Sequence, residues 1–404
     1  MTYRILSLDG GGAWALIQVR ALIALYGGSP DTTGHQVLAD FDLVAANSGG
    51  SLVLGGLVED LSLGDLLAYF EDEKKRKSIF APTHSWGDSA LNTIAGIGPK
   101  YSAEDKLPAI QRLLPKRGDI SLTEAAQGIK RKGFPNDVHL LIVAFDYDRN
   151  RATFLRSTTA SGPQWGRGNT ATVKLAEAIH ASTNAPVNYF DAPASFPDAP
   201  GRYWDGGVTG CNNPVLAAVT EAIVMGQTPT DIVALSIGTG TVALPWPDPK
   251  LDPPKSPYVQ TIGQPGLVAD LRKLATSILD DPPDAASFLA HVMTGGSARV
   301  AAPAVSRIVR LNPLISPMGK AGIWRAPGAA ATPMTAAQFT YLARLDMDAV
   351  EQTQVDAITQ FADLWIAGNV SNQPIRMDAD TLGLELGYGN FPDAAAAWRS
   401  LKQL

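Results

Sequence analysis

Four short apolar runs, separated by helical patterns, dominate this sequence. They are YRILSL (3–8), FDLVAA (41–46), VHLLIVAFDYD (138–148) and DIVALSIGTG (231–240). Strands that alternate with helices form a mostly parallel sheet with helices packed on both faces. The sequence therefore predicts an α/β fold of three layers, with the sheet in the middle.

Three turns of functional interest follow these runs. Asp9–Gly12 follows the first run, Ser48 lies in the turn after the second, and Gly238–Gly240 ends the fourth. Ligands of parallel sheets bind at the carboxyl ends of the strands. We therefore expect the functional site at these turns.

Size and composition exclude some classes of protein. With 404 residues, 45% of them hydrophobic, the chain can form one large domain or two smaller ones. The net charge of −6 gives no general electrostatic reason to bind nucleic acid, and the single cysteine, Cys211, permits no intrachain disulfide. The first residues lack a signal-peptide pattern, and no apolar segment approaches the roughly 20 residues that span a bilayer. We therefore expect a cytoplasmic protein.

The second half of the chain is richer in helical patterns. LPWPDPKLDPPKSPYVQTIG (244–263) is rich in proline and predicts a long loop, and helices are expected within 264–370. RIVRLNP (307–313) predicts an edge strand. The last predicted helix has an apolar stripe at helical spacing, formed by Val355, Ile358, Phe361 and Trp365.

Ser48 is the candidate nucleophile, in the sequence LVAANSGGSLVLGG. A strand–serine–helix elbow exposes the hydroxyl at a sharp turn, with the positive end of the helix dipole behind it. The residues two before and two after the serine must be small, and here they are Ala46 and Gly50. Asn47 and Gly49 complete the pattern A-N-S-G-G, which departs from the usual G-x-S-x-G at its first position. The pattern is typical of a nucleophile or of an ordinary tight turn.

Asp205 is the candidate base that a nucleophilic serine requires. In YWDGGVTGCNNP, Gly206 and Gly207 let the backbone turn closely, so that the carboxylate could face a neighbouring loop. Partial burial would raise the pKa of Asp205 from about 3.9 and make it a better base. An Asp-Gly-Gly turn without function is the alternative. His291 has the order expected of an α/β-hydrolase triad, but it lies in a helical segment and is better explained by packing.

Gly10, Gly11 and Gly12 follow the first strand and open a helix. Successive main-chain N–H groups there form a cradle for an anion, either a phosphate or the oxyanion of an ester. The loop and the residues after it also fit the dinucleotide fingerprint G-x-G-x-x-A. That fingerprint requires an acidic residue about 20 positions on, at the end of the second strand. Asp31 is at about that distance but in a predicted loop, so a dinucleotide-binding oxidoreductase is the weaker alternative.

The glycine loop, the elbow and the downstream DGG together resemble the patatin-like phospholipase family. Four further segments are similar to that family: HASTNAPVNYF (180–190), DGGVTGCNNPVLAAVTEA (205–222), DIVALSIGTG (231–240) and LDMDAVEQTQVDAITQFADLWI (345–366). The resemblance spans roughly residues 4–370. It implies one domain over 1–370, with the core motifs within 4–240, and a C-terminal tail, 371–404, packed on it.

The resemblance also implies a function. Members of the family are lipid acyl hydrolases with a Ser–Asp dyad, which act without histidine, metal or cofactor. Carried over to this chain, Ser48 is the nucleophile, Asp205 is the base, and the amides of Gly10, Gly11 and Gly12 form the oxyanion hole. The expected substrate is a phospholipid or another fatty acyl ester.

This chain departs from the family pattern at three positions. The family usually has an arginine two places after the third glycine and a glycine next, where this chain has Trp14 and Ala15. We expect Trp14 to pack over the glycine loop or to line the acyl pocket. Ala46 replaces the first glycine of the elbow. A catalytically weak or regulated lipid-binding effector is therefore an alternative to an active hydrolase.

Contact with a membrane surface is a further expectation. Apolar, glycine-rich loops around Trp86 and Trp324 could enter a lipid interface, with ordinary surface loops as the alternative. No residue pattern predicts an oligomeric state.

Overall fold

The computed structural model describes residues 2–79, 102–129, 137–158, 172–186, 189–196, 199–250, 256–299, 306–316, 335–378 and 382–403. Its strands are β1 (Tyr3–Leu8), β2 (Leu43–Asn47), β3 (His139–Asp146), β4 (Arg151–Arg156), β5 (Ala194–Phe196), β6 (Ala199–Asp205), β7 (Ile232–Ile237), β8 (Thr241–Val242), β9 (Ile308–Leu311), β10 (Leu314–Ile315), β11 (Arg376–Met377) and β12 (Leu384–Leu386).

The main sheet has eight strands and is mostly parallel. Hydrogen-bonded pairing connects its strands in the series β5–β6–β3–β2–β1–β7–β9, and β4 also pairs with β3. β1 is parallel to β2 and β7, β2 is parallel to β3, and β7 is parallel to β9. β4 and β6 are antiparallel to β3, and β5 is antiparallel to β6. The predicted α/β architecture is confirmed, and the strand predicted within 307–313 lies at one end of the sheet order.

Helices surround this sheet. They are α1 (Leu16–Leu25), α2 (Gly34–Leu38), α3 (Gly49–Val58), α4 (Leu63–Glu71), α5 (Glu73–Ile79), α6 (Ala103–Leu113), α7 (Leu122–Gln127), α8 (Leu175–Thr183), α9 (Val215–Val224), α10 (Leu267–Met293), α11 (Ala336–Leu342), α12 (Gln352–Ile366) and α13 (Phe391–Leu401). Short 3-10 helices occupy Gly12–Ala15, Gly206–Thr209 and Pro229–Asp231. The proline-rich stretch has neither helix nor strand in its described parts, 244–250 and 256–263.

Both faces of the sheet are buried. Successive residues of a strand point to opposite sides, and each side of the sheet packs into its own apolar cluster. Leu6 and Leu8 of β1 belong to a large cluster that includes α1, α3 and α8. Tyr3 and Ile5 belong to a second cluster on the other face, with α9 and α10. This arrangement explains why the strands read as continuous apolar runs in the sequence.

The C-terminal helices share the larger cluster. The stripe on α12 is buried, with Trp365 wholly inaccessible to solvent. Trp365 packs edge to face against Phe391 of α13, with ring centroids 4.8 Å apart. Trp398 of α13 stacks on Phe41, with centroids 5.7 Å apart. The amphipathic pattern of α12 was therefore a correct guide to its buried side.

Among the described helices, none is both long enough and apolar enough to cross a membrane. The loops around Trp86 and Trp324, which carry the predicted membrane contact, lie outside the described residues.

Candidate active site

Strand β3 brings two distant parts of the chain end to end. β2 and β6 lie along the same edge of β3, because β4 pairs with the other edge. The last residue of β2, Asn47, is opposite Val143. The last residue of β6, Asp205, is opposite Ala144. The register therefore brings Ser48, which follows Asn47, next to Asp205, although 157 positions (205 − 48) separate them in the sequence.

Ser48 occupies a strained elbow between β2 and α3. Its φ of 47° and ψ of −124° lie in a region that residues with a side chain rarely adopt. The backbone at Gly50 also lies close to the end of β1. A Cβ added to Gly50 would be only 2.4 Å from the carbonyl oxygen of Leu8. Ala46 and Gly49 are buried beside it. The small residues of the A-N-S-G-G pattern are thus explained by sterics at the turn.

Asp205 is a buried carboxyl group, 6% exposed. Burial raises its pKa, and the hydrogen bond from the Ser48 side chain is the strongest opposing effect. The Gly207 N–H donates to Asp205 Oδ1 at 2.8 Å, and Asn47 Nδ2 donates to the same oxygen at 3.4 Å. The buried ammonium of Lys106 also favours the ionised carboxylate. Asp205 is thus both a proton acceptor beside Ser48 and a group with raised proton affinity.

The glycine loop lies against this pair. A Cβ added to Gly10 would be 2.9 Å from the Ser48 Cβ. Gly12 has a φ of 57°, and a Cβ there would lie 2.4 Å from the carbonyl oxygen of Met347, so only glycine fits. The Gly10 N–H donates to the main-chain oxygen of Asn212 at 3.0 Å. The Gly10 amide is therefore already engaged, and the amides of Gly11 and Gly12 are the ones that the glycine loop can offer to an oxyanion.

The third predicted turn also joins the site. Thr239 Oγ1 donates to the carbonyl oxygen of Gly10 at 2.7 Å. The elbow is fixed from another side, because the Ser48 N–H donates to Ser182 Oγ at 2.9 Å. The three turns singled out in the sequence are therefore neighbours in the structure.

An ion pair supports the start of the glycine loop. Arg310 Nη2 of β9 is 2.6 Å from Asp9 Oδ2, and both side chains are at least 96% buried. Burial raises the pKa of Asp9 to about 6, while the charge and the hydrogen bond of Arg310 oppose that rise. Arg310 Nη1 also donates to Ser236 Oγ at 2.8 Å. This arginine supports the loop from β9, in a chain that lacks the arginine expected at position 14.

Trp14 packs beside the glycine loop. It is 7% exposed, and its Nε1 donates to the carbonyl oxygen of Asp346 at 3.0 Å. Its ring lies close to Gly240, where an added Cβ would be 3.6 Å from the ring carbons. Trp14 therefore connects the loop after β1 to the turn after β7.

The other sequence candidates lie elsewhere or have other contacts. His291 of α10 is buried, and its Nδ1 lies 2.9 Å from Ser306 Oγ, as expected of a packed histidine. Asp31 is exposed in the turn between α1 and α2, and not at the end of β2 where a ribose-binding acid belongs. Across the described ranges, no group of three or more His, Cys, Asp or Glu side chains is arranged to hold a metal ion.

Sequence reasoning missed Lys106 and Arg310. Lys106 lies among other charged residues in SAEDKLPAIQ, which is typical of a solvated helix, so nothing distinguished it. Arg310 did carry a signal, because a charge within the apolar run IVRL needs a buried partner.

A cavity of about 430 Å³ lies apart from Ser48 and Asp205. It is bounded by β3, β4, α9 and α10, with Leu141, Cys211 and Leu216 among its lining residues. Since neither reacting side chain lines it, we do not assign it to the candidate active site.

Comparisons with known proteins identify the class of protein. A family model described as patatin-like phospholipase matches residues 6–219, just over half of the chain. The chain therefore belongs to the patatin-like phospholipase family. Membership indicates lipid acyl hydrolase activity in general, and the parallel sheet with helices around it is consistent with the family fold.

The other comparisons add little. No curated protein matches the chain. Among solved structures, the crystal structure of VipD from Legionella pneumophila is similar, with a TM-score of 0.35 and 11% sequence identity. That alignment covers 99% of this chain and 75% of VipD. At this TM-score the similarity supports no argument about fold or function.

Proposed function

We propose that the protein hydrolyses fatty acyl esters, such as phospholipids or lysophospholipids, through an acyl-serine intermediate on Ser48. The observation that carries the proposal is the position of Ser48 at a strained turn, next to the glycine loop and beside the buried carboxyl group of Asp205 on the same edge of β3. A serine hydroxyl becomes a useful nucleophile when a base accepts its proton and donors stabilise the oxyanion.

In the first step, Asp205 accepts the proton of Ser48 as Oγ attacks the ester carbonyl carbon. Negative charge forms on the carbonyl oxygen, and the amides of Gly11 and Gly12 are placed to stabilise it; in other hydrolases one such donor is worth about 2.7–4 kcal/mol. The carbonyl reforms, the bond to the leaving alcohol breaks, and Asp205 returns the proton to that alcohol. Water then attacks the acyl-serine while Asp205 accepts its proton; the bond to Ser48 Oγ breaks, Asp205 returns the proton to that oxygen, and fatty acid is released.

The proposal is tested with a fluorophosphonate probe and a panel of phospholipids. The probe should label Ser48, identified by mass spectrometry, and the same protein should release fatty acid. Ser48→Ala should lose both labelling and hydrolysis, and Asp205→Asn should lose hydrolysis while it remains folded. Ser157→Ala is a matched control, because Ser157 is also buried but its Oγ accepts the N–H of Leu140 away from the site.

Retention of wild-type turnover by purified Ser48→Ala protein would refute the assignment. Lipid binding without hydrolysis in both wild type and Ser48→Ala would favour a lipid-binding effector. Binding of a nicotinamide cofactor would favour the oxidoreductase alternative, for which the exposed position of Asp31 gives no support.

The predicted domain over 1–370 and its tail, 371–404, belong to the same proposal. The family match ends at residue 219. The shared cluster formed by α1, α12 and α13 supports a single folding unit that includes the described part of the tail.

A further inference from the structure

Lys106 of α6 has an ammonium group buried next to the candidate active site. The side chain is 1% exposed. Its Nζ donates to the main-chain oxygen of Thr183 and lies 3.7 Å from the centroid of the Phe190 ring. Lysine is almost never fully buried without a partner, because its charge loses hydration. Burial therefore lowers the pKa of Lys106 well below its usual range, and the negative charge of Asp205 opposes that shift and favours the ammonium form.

A residue adjacent to one that Lys106 contacts holds the main chain of Asp205. The Asp205 N–H donates to the carbonyl oxygen of Asn184, the residue after Thr183, at 2.9 Å. The Phe190 N–H donates to the carbonyl oxygen of Ala185, which follows Asn184, at 3.0 Å. Lys106 thus contacts Thr183, whose neighbour Asn184 accepts the main-chain N–H of the candidate base.

Among the described residues, two titratable groups interact with the Lys106 charge. One is Asp205, and the other is the imidazole of His180 on α8, whose pKa falls to about 3 because of burial and the nearby Lys106 charge. His180 therefore stays neutral in the neutral pH range. Helix α5, which also packs on α6, has Glu73 and Lys77 paired with each other on its exposed side. Asp205 is thus the charge that responds to Lys106.

We propose that Lys106 is a positioning residue for hydrolysis, whose buried ammonium keeps Asp205 ionised and oriented toward Ser48. The inference rests on the proposed function, because it takes Asp205 to be the base. A neighbouring cation favours a carboxylate over a carboxylic acid. Without the ammonium, Asp205 will hold its proton more tightly and will be inactive over a wider range of acid pH.

The test is the pH profile of kcat/KM, whose acid limb reports the base of the free enzyme. In Lys106→Met the limb should move to higher pH by about one unit or more, which is a tenfold or greater loss at a pH on the limb. Lys106→Arg keeps the charge and should restore the wild-type limb. Loss of packing alone would lower activity without moving the limb.

Arg76→Met is the matched control. Arg76 is also a 1% exposed cation that donates to a main-chain oxygen, that of Phe70, at 2.7 Å. Its removal should reduce stability and leave the limb in place. An unchanged limb in folded Lys106→Met protein would overturn the inference.

A reciprocal measurement covers the case in which Lys106→Met does not fold. Coupling between two sites acts equally in both directions. The Lys106 side-chain resonance of protein grown with ¹³C,¹⁵N-labelled lysine should therefore titrate at lower pH in Asp205→Asn than in wild type. An identical titration in both proteins would overturn the inference even if Ser48→Ala is inactive, whereas an active Ser48→Ala protein would overturn the proposed function itself.

Discussion

Replacement of Arg310 by methionine should destabilise the protein by an amount that depends on pH. The substitution removes a guanidinium that is 2.6 Å from Asp9 Oδ2 and leaves that carboxyl buried. Removal of one partner of a buried ion pair costs about 3–5 kcal/mol when the remaining group stays charged. When the remaining group is neutral, the cost reduces to lost hydrogen bonds, about 1.5–3 kcal/mol.

The sign of the pH dependence follows from Asp9, whose pKa is raised from 3.8 to about 6 in the folded protein. A folded-state value above the unfolded value means that folding favours the protonated carboxyl. The stability that the protonated Asp9 carboxyl contributes is fully present below pH 3.8 and is lost as the pH rises through 6. Without Arg310 the pKa will rise further, and each added unit costs about 1.4 kcal/mol at pH 8.

The free energy of unfolding is measured in urea by tryptophan fluorescence at pH 5 and pH 8. We expect Arg310→Met to lose more stability at pH 8 than at pH 5. In the Asp9→Asn background, which has no carboxyl at this place, the loss caused by adding Arg310→Met should be nearly equal at both pH values. An equal loss in the single variant would refute the argument that Asp9 is the group left uncompensated.

Three further substitutions, two at the site and one at the far end of α3, are tested by urea unfolding. Gly50→Ala places a Cβ 2.4 Å from the Leu8 carbonyl oxygen, so it should cost about 1–3 kcal/mol and slow fluorophosphonate labelling; normal labelling would contradict the sterics of the elbow. Glu59→Gln removes a 1% exposed carboxylate that accepts two main-chain N–H groups at 2.9 Å, and a loss of about 1–3 kcal/mol is expected. Trp14→Phe loses the hydrogen bond to Asp346 and should cost about 1 kcal/mol; no change would show that the bond contributes nothing.

Much of the sheet could be predicted because its strands are buried on both faces. Runs such as YRILSL and DIVALSIG have no polar face, which is typical of central parallel strands, and the glycine-rich turns indicate where they end. The register of β6 against β3 could not be predicted in this way. It depends on an antiparallel pairing between segments about 60 residues apart, and no local pattern specifies that pairing.

The site could be predicted in part for a similar reason. Ser48 and Asp205 lie in turns where a tight backbone permits only small residues or glycine. Glycine is visible in the sequence, so these turns could be located from it. The contacts of Lys106 and Arg310 are made by side chains across distant elements, so their partners are visible only in the folded protein. The hydrogen bond of Gly10 to Asn212 is of the same kind, since it depends on where the loop after β6 returns.

The common edge of β3 has a consequence for how the site tolerates change. The strands that carry the nucleophile and the carboxylate end opposite adjacent residues of β3, Val143 and Ala144, so substitutions that loosen the outer helices will displace the two groups together and preserve their separation. A deletion of one residue within β6 would act differently, because a slip of one position turns a strand side chain to the opposite face. The carboxylate would then point away from the serine in a protein whose overall architecture is intact.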